Sequence, residues 1–518
     1  MASAASFSDE IEQLKRKLAS RDALIAKLVT EIARLKRWRF GRSAERMGQS
    51  VAQLQLALEQ LQGAACAEAL AVEAAPALEG NDDTVASEPR VVALRRPARR
   101  LPAHLPRETV THAPAHCTCP DCGSPLRKLG EDLCEVLDFV PGYFKVMRHV
   151  RPKLSCRQCA RVVQAAAPSR PIERGLAGAG LLAQVIVAKY ADHTPLYRQQ
   201  GIYRRAGVDL ERATLAQWVK QGAKLLAPLA DAVARHVLAA EKVHADDTPV
   251  PVLDPGRGRT KTGRIWTYVR DDRPAASRAP PAVWYCYSPN RQGQHPREHL
   301  KTFIGILQAD GYAGYGAIYE SGQVLEAACW AHVRRKFYDI HVADRSPIAA
   351  EAIRRIGLLY AIEREIRGRL PRERRAVRQE RAGPVLEALH AWLNATLLGV
   401  SAKSNLAGAI KYALARWTAL SRYCADGRIE IDNNTAERSI RPIVLGRRNY
   451  LFAGSDGGGE SAAHIYTLIG TALLNGIEPY AYLREVLGRI ADHPINRIDD
   501  LLPWHLDLAS APAHQLAA

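Results

Sequence analysis

Apolar positions at the start of the chain recur with heptad spacing. Ile11, Leu18, Ile25 and Ile32 fill one core position and Leu14, Leu28 and Leu35 the other, with Arg21 the one break. Apolar spacing sustained over about four heptads is a coiled-coil signal. An amphipathic helix docked on its own protein has the same face, but the length of the pattern favours self-association. A second apolar helix around Val51 to Leu61 follows a basic run, KRWRFGRSAER. Residues 63–110 lose the pattern. They are first Ala-rich and acidic, then basic and Pro-rich, and read as a linker without a core. Between 111 and 170 the alternation of CEVLDFVPGYFKVMRHVRPKLSC predicts a pair of strands.

Helical periodicity dominates 171–240 and breaks at Gly207, so two helices with a short turn fit a helix-turn-helix. Arg204, Arg205, Arg212 and Lys220 are its candidate phosphate contacts, although plain helix packing explains the pattern as well. From 241 short β-rich runs appear: KVHADDTPVPVL, GRIWTYVRD, AVWYCYS, FIGILQADGY and VLEAACW. Three strands in series, then strands alternating with helices, predict a mixed α/β layer. Residues 341–425 return to helix with a basic middle and read as an insertion in a core spanning 241–460. Residues 461–518 are helical and end in an Ala-rich tail. The expected fold class is therefore multidomain α+β.

Composition narrows the function. The 518 residues suffice for roughly three domains. Lys+Arg 72 against Asp+Glu 54 gives a net charge of +18, which suits a polyanionic partner and says nothing about fold. No apolar signal core opens the chain and no stretch would span a bilayer, so a cytoplasmic protein with no membrane partner is expected. Of ten cysteines, four form two C-x-x-C pairs, Cys119/Cys122 and Cys156/Cys159. Two such turns give four thiolates in a tetrahedron, suited to a structural Zn²⁺ with no open position for catalysis. A redox C-x-x-C is the alternative, and Cys117 is a poorer substitute for Cys119. The strand before the second pair carries Lys145, Arg148, Arg151 and Lys153, further candidates for DNA contact.

Three carboxylates stand out. Asp246 lies on the first strand of the 241–460 region, and alternation turns its neighbour Asp247 to the other face. Asp310 ends a strand beside Gly311. Glu437 falls in the first turn of a helix if Asn433 or Asn434 caps it, and a salt bridge to Arg441 is its bland reading. Together they offer hard oxygen ligands for two Mg²⁺ (or Mn²⁺) ions flanking a scissile phosphate. Nearby arginines would offset the developing negative charge.

These motifs carry a resemblance. RFGRSAER, CPDCG, VRPKLSCRQC, KYADHTPLYRQ, HADDTPV, LQADGYAGY, CWAHVRRKF, DNNTAERSIRP and PINRIDDLLPW together look like a DDE transposase of the bacterial insertion sequence 66 family. The resemblance covers nearly the whole chain. It implies an RNase H-like catalytic core with Asp246, Asp310 and Glu437 as the metal-binding triad. Asp247 stands where such proteins often carry glutamate. It implies cleavage at the element's ends, strand transfer into target DNA and companion proteins of the same element, while the heptad helix predicts a homo-oligomer. His332, Arg334, Arg335 and Lys336 in the CWAHVRRKF stretch, and Arg438, Arg441, Arg447 and Arg448 after Glu437, would support the site or contact DNA. A DNA-binding regulator with a decayed site, or a nuclease that cuts without joining, is the alternative.

Overall fold

The computed structural model describes residues 101, 105–113, 124–140, 142–173, 175–254 and 256–506. The heptad helix, most of the linker, Cys117, Cys119 and Cys122 lie outside them.

A small sheet comes first. Strand β1 (Arg107–Thr111) runs parallel to β3 (Tyr143–Cys156). β3 also pairs antiparallel with β2 (Leu126–Val140) and with the short β4 (Val162–Gln164). The alternating segment is thus a long hairpin, turned at Gly142 with φ +104°. Its register sets Leu126 opposite Cys156. The basic positions of β3, Lys145, Arg148, Arg151 and Lys153, are each ion-paired across the sheet, to Glu108, Glu135, Asp132 and Asp132 respectively. Such cross-strand pairs support the sheet.

Helices α1 (Ala179–Tyr190), α2 (Leu196–Arg205) and α3 (Arg212–Leu238) follow, with Gly207 in the left-handed region between the last two. Arg204, Arg205, Arg212 and Lys220 are all exposed. The second sheet contains β5 (Lys242–Asp254), β6 (Arg259–Arg270), β7 (Ala282–Ser288), β8 (Gly305–Gln308) and β9 (Val324–Ala327) in the order β7-β6-β5-β8-β9. The first three are mutually antiparallel, whereas β8 is parallel to both β5 and β9. β5 pairs with β8 only over Lys242–His244, so its far half has an edge away from β6. Pro249 and Pro251 sit in that half, where a strand tolerates the loss of a donor. Ala453 closes part of the gap through bonds with Pro251 and Leu253.

After β9 the chain forms α4 (Trp330–Asp344), α5 (Pro347–Ile366), α6 (Pro371–Val377) with a π-helical turn over Arg378–Ala382, α7 (Gly383–Gly399) and α8 (Asn405–Ala415). This helical group has its own core, including Phe337, Ile356, Leu389 and Ile410. Two arginines of its basic middle are buried. Arg378 pairs with Glu363 at 2.7 Å, and Arg374 bridges Glu363 (3.4 Å) and Glu430 (2.8 Å).

The chain then returns to the sheet as α9 (Asn434–Tyr450), α10 (Asp456–Leu474) and α11 (Pro479–Arg489). α10 covers the edge strand β7. Thr467 accepts a bond from the Tyr285 amide, while Thr471 accepts from the Val283 amide and donates to its carbonyl. One hydrophobic core therefore joins the hairpin, α1, α3, the sheet and the last helices, from Leu105 to Leu502. No helix among the described residues is long and apolar enough to cross a membrane.

Candidate active site

The parallel pairing of β5 with β8 ends at His244 opposite Gln308. Two residues further along each strand stand Asp246 and Asp310. Both therefore lie where adjacent parallel strands part at their carboxyl ends, the place where open α/β sheets bind ligands. Asp246 remains paired with Thr267 of β6. Asp310 lies just past β8, and its Oδ1 accepts the Tyr312 amide at 3.1 Å. Gly311 leaves room for Arg416, whose guanidinium donates to the Gly311 carbonyl at 3.1 Å.

The segment 429–433 brings the third carboxylate in. Buried Gln308 holds the Glu430 backbone through both ends of its amide, and the Trp330 amide donates to Ile431. Asn433 precedes α9 but does not cap it with its side chain. Instead, fully buried Asn433 donates to the Ala245 carbonyl at 2.8 Å, and its Oδ1 lies 3.0 Å from His244 Nδ1. Burial, helped by the charge of Lys242, pushes the His244 pKa down to about 3. The ring is therefore neutral at physiological pH, and its Nδ1–H donates to Asn433. The start of α9 is thus pinned to β5 immediately before Asp246.

Glu437 sits in the first turn of α9 and is half-buried. Its neighbours among the described residues come from α4, Arg335 in an ion pair at 3.5 Å and the His332 ring nitrogen at 3.8 Å. Arg441 is not one of them and points to solvent. Glu437 Oε1 and His332 Nδ1 are buried without a hydrogen-bond partner. Cys329 closes the same corner. Its buried thiol, pushed up to about 12 by burial, accepts the Asn433 amide.

Asp246 feels the other two acids. Burial raises the Asp246 pKa to about 7, opposed by the Asp247 amide, and the charges of Asp310, Asp247 and Glu437 push it the same way. Asp247 is itself neutralised by Arg264 at 2.9 Å and Arg291 at 2.7 Å, and Arg291 also approaches Asp310 to 3.9 Å. Arg291 carried no motif in the sequence. His244 and Asn433 lie in the HADDTPV and DNNTAERSIRP stretches, but nothing local showed that they bond to each other. The Asp246 carboxylate, which no cation pairs among the described residues, and the unpartnered Glu437 oxygen fit a divalent cation held by oxygen ligands.

The flanking cations are arranged around this corner. Arg334, Arg335 and Lys336 are exposed on α4, with Lys336 lying over the Tyr412 ring. Arg438, Arg441 and Arg448 are exposed on α9. Arg447 is half-buried against the Pro249 carbonyl, its pKa lowered by burial and by Arg264 and Arg448.

Family models match along the chain. The model described as "Transposase IS66 family" matches residues 174–461, which include all three carboxylates. The chain belongs to the IS66 transposase family. Its C-terminal element matches 467–504, the zinc-finger binding domain of transposase IS66 matches 116–160, and "Transposase C of IS166 homeodomain" matches 27–110. Three relatives are uncharacterized proteins of Sinorhizobium fredii (strain NBRC 101917 / NGR234). Protein y4hP is 41% identical over 95% of this chain and 91% of its own length. For y4jD the identity is 41% over 82% and 86%, and for y4qI it is 42% over 79% and 77%. Family membership indicates a transposase, a DNA-processing enzyme.

The zinc-finger match supports a structural Zn²⁺, and the described part of that module fits one. Cys156 and Cys159 lie on a tight turn in which the Ala160 amide donates to the Cys156 carbonyl and the Cys156 amide to the Arg161 carbonyl. Ser124, two residues after Cys122, donates to Gln158 inside that turn. The hairpin therefore returns the chain beside the second thiol pair, as coordination by all four would require.

Proposed function

We propose that this protein cuts DNA at the ends of its own mobile element and joins the freed 3′ ends to a target. Asp246, Asp310 and Glu437 would hold two Mg²⁺ (or Mn²⁺) ions. The observation that carries this reading is the shared position of Asp246 and Asp310 beyond the last β5–β8 pair, with the charge of Glu437 felt at Asp246. The sheet order, three antiparallel strands followed by two parallel ones, supports the RNase H-like core implied by the family. When bound, the ions would activate the attacking water or 3′-hydroxyl and stabilise the leaving oxygen.

The chain's own groups have separate tasks. Asn433 and His244 fix where α9 begins, and so where Glu437 stands. Arg291 is shared between Asp247 and Asp310 and sets the spacing on that side. Arg335 and His332 hold the Glu437 carboxylate, while Arg334, Lys336 and Arg438 offer charge to DNA phosphates. The zinc module and the α2–α3 pair would recognise element ends. The heptad helix would pair protomers so that two ends meet, with companion proteins of the element assisting.

The test is strand transfer by Asp246→Ala, Asp310→Ala and Glu437→Ala proteins. Each should lose joining completely while binding element ends as the parent does. Retained joining in any one of them removes that residue from the triad.

A further inference from the structure

A cavity of about 280 Å³ opens between α1, α3, α9 and the start of α10, close to the lower end of the range for small-molecule sites. Its lining is mixed in a particular way. Lys189, Lys220 and Arg447 supply three cations, and Tyr190, Tyr450 and Phe452 supply aromatic surface. No ion pair joins any of the three cations to a carboxylate among the described residues. Lys189 has only the Tyr190 hydroxyl at 3.2 Å and the faces of the Tyr190 and Tyr450 rings. Burial lowers its pKa to about 8, so the ammonium is held at a cost with no anion to offset it. Asp456, the acid of the first turn of α10, is already engaged by Lys261 and Tyr287.

The glycines beside the cavity divide into two kinds. A Cβ on Gly459 would run into the Tyr287 ring, so that glycine serves packing. A Cβ on Gly457 or Gly458 would meet only ordinary contacts, with Ser455 Oγ at 3.9 and 3.7 Å and Ala453 Cβ at 3.8 Å, so packing does not require glycine at either position lining the cavity. A cavity that combines ring faces with cations lacking a carboxylate partner among the described residues suits a ligand that is both anionic and aromatic. A nucleotide is both.

Two elements lead to it from the carboxylates. Val250 lines the cavity four residues past Asp246 on β5, about 13 Å along a strand. Arg447 is ten residues past Glu437 on α9, about 15 Å along a helix. That is roughly four steps of a stacked DNA strand at 3.4 Å each.

We propose that this cavity receives one unpaired nucleotide of the DNA strand crossing the carboxylates, its base against the Tyr450 and Phe452 rings and its phosphate facing Lys189, Lys220 and Arg447. The inference rests on the transposase reading for the path of the strand. Base–aromatic stacking tolerates any base, so the site would grip a strand without reading its sequence. It would hold the strand in place while the scissile phosphate is aligned.

The test uses the full chain carrying Asp246→Asn, without divalent metal, so that no cleavage intervenes. A short oligo(dT) bearing a single 5-iododeoxyuridine is cross-linked by light and the adduct is mapped by mass spectrometry. Adducts are expected on Tyr450 or Phe452. Their yield should fall about tenfold with Lys189→Met, and similarly with Phe452→Ala, which alters an exposed rim residue and leaves the core intact. Adducts confined to other regions, or yields unchanged in both variants, overturn the proposal. Cross-links lost with Lys189→Met but kept at full yield with Phe452→Ala also overturn it, because the cavity would then take phosphate without base. A triad that proved non-catalytic would leave this binding result as it stands.

Discussion

Asn433 links two parts of the site through a single side chain. It is buried, holds Ala245 and His244, and begins the helix that carries Glu437. Asn433→Ala should cost roughly 2–3 kcal/mol in unfolding experiments, since it strands two buried polar groups. Strand transfer should fall with it while end binding stays. An unchanged denaturation midpoint would show that the tether is dispensable. Asp246 makes a pH prediction. Its folded pKa, near 7, exceeds the ordinary 3.8, so the metal-free folded state binds more protons than the unfolded state between those values. Stability from this group therefore falls as pH rises from about 4 to 7, and the penalty is full above that. Asp246→Asn should raise the Tm of metal-free protein at pH 8 and leave it unchanged near pH 4. A Tm difference independent of pH would contradict the burial of Asp246 beside like charges. At this scale the sequence was partly legible. The carboxylates could be read because Asp246 lies in a β-rich run, Asp310 ends another beside Gly311, and Glu437 follows a pair of asparagines at a helix start. Arg291 could not, because the SPNRQGQH stretch looks like any polar loop, and only the fold turns it toward Asp247.

Among the elements, the helical insertion shows why charge on a helix is a poor guide to a surface. The run REIRGRLPRERRAVRQERAG reads as solvated and basic, yet Arg374 and Arg378 lie inside, tied to Glu363 and Glu430. Glu430 lies in the strip that Gln308 clasps, so these ion pairs support the approach to Glu437. Arg378→Met leaves Glu363 buried without its closest partner and should destabilise the protein by about 3–5 kcal/mol. Replacing both Arg378 and Glu363 by apolar residues should recover much of that loss. Equal damage from the single and double variants would show that packing, not charge, decides the site. The same limit applies to the basic strand of the zinc module, whose cross-strand acids become visible only once the hairpin register is known. The hairpin itself, the β-rich runs and the break at Gly207 were legible because alternation and a left-handed glycine are local signals. The coverage of β7 by α10 was not, since Thr467 and Thr471 bond to a strand about 180 residues earlier in the chain.

At the scale of the whole molecule, a single core joins segments that sequence patterning divides, from the hairpin beside the zinc cysteines to the C-terminal element. A nucleic acid held by the zinc module and the α2–α3 pair would therefore be held on the same body as the carboxylates. The heptad segment lies outside the described residues. We propose that it forms a helix that pairs protomers. Deleting residues 1–62 should lower the mass seen by light scattering, and an unchanged mass would refute that role. The central claim, that three carboxylates drawn together from β5, β8 and α9 perform metal-dependent cutting and joining, has a direct measurement. Purified protein is mixed with end-labelled DNA carrying the element's own terminus and an unlabelled target, with and without Mg²⁺. The account predicts labelled joined product with Mg²⁺, none without it, and none from Glu437→Gln protein that still binds the terminus. Joined product from Glu437→Gln, or cleavage without any joining by the parent protein, would contradict it.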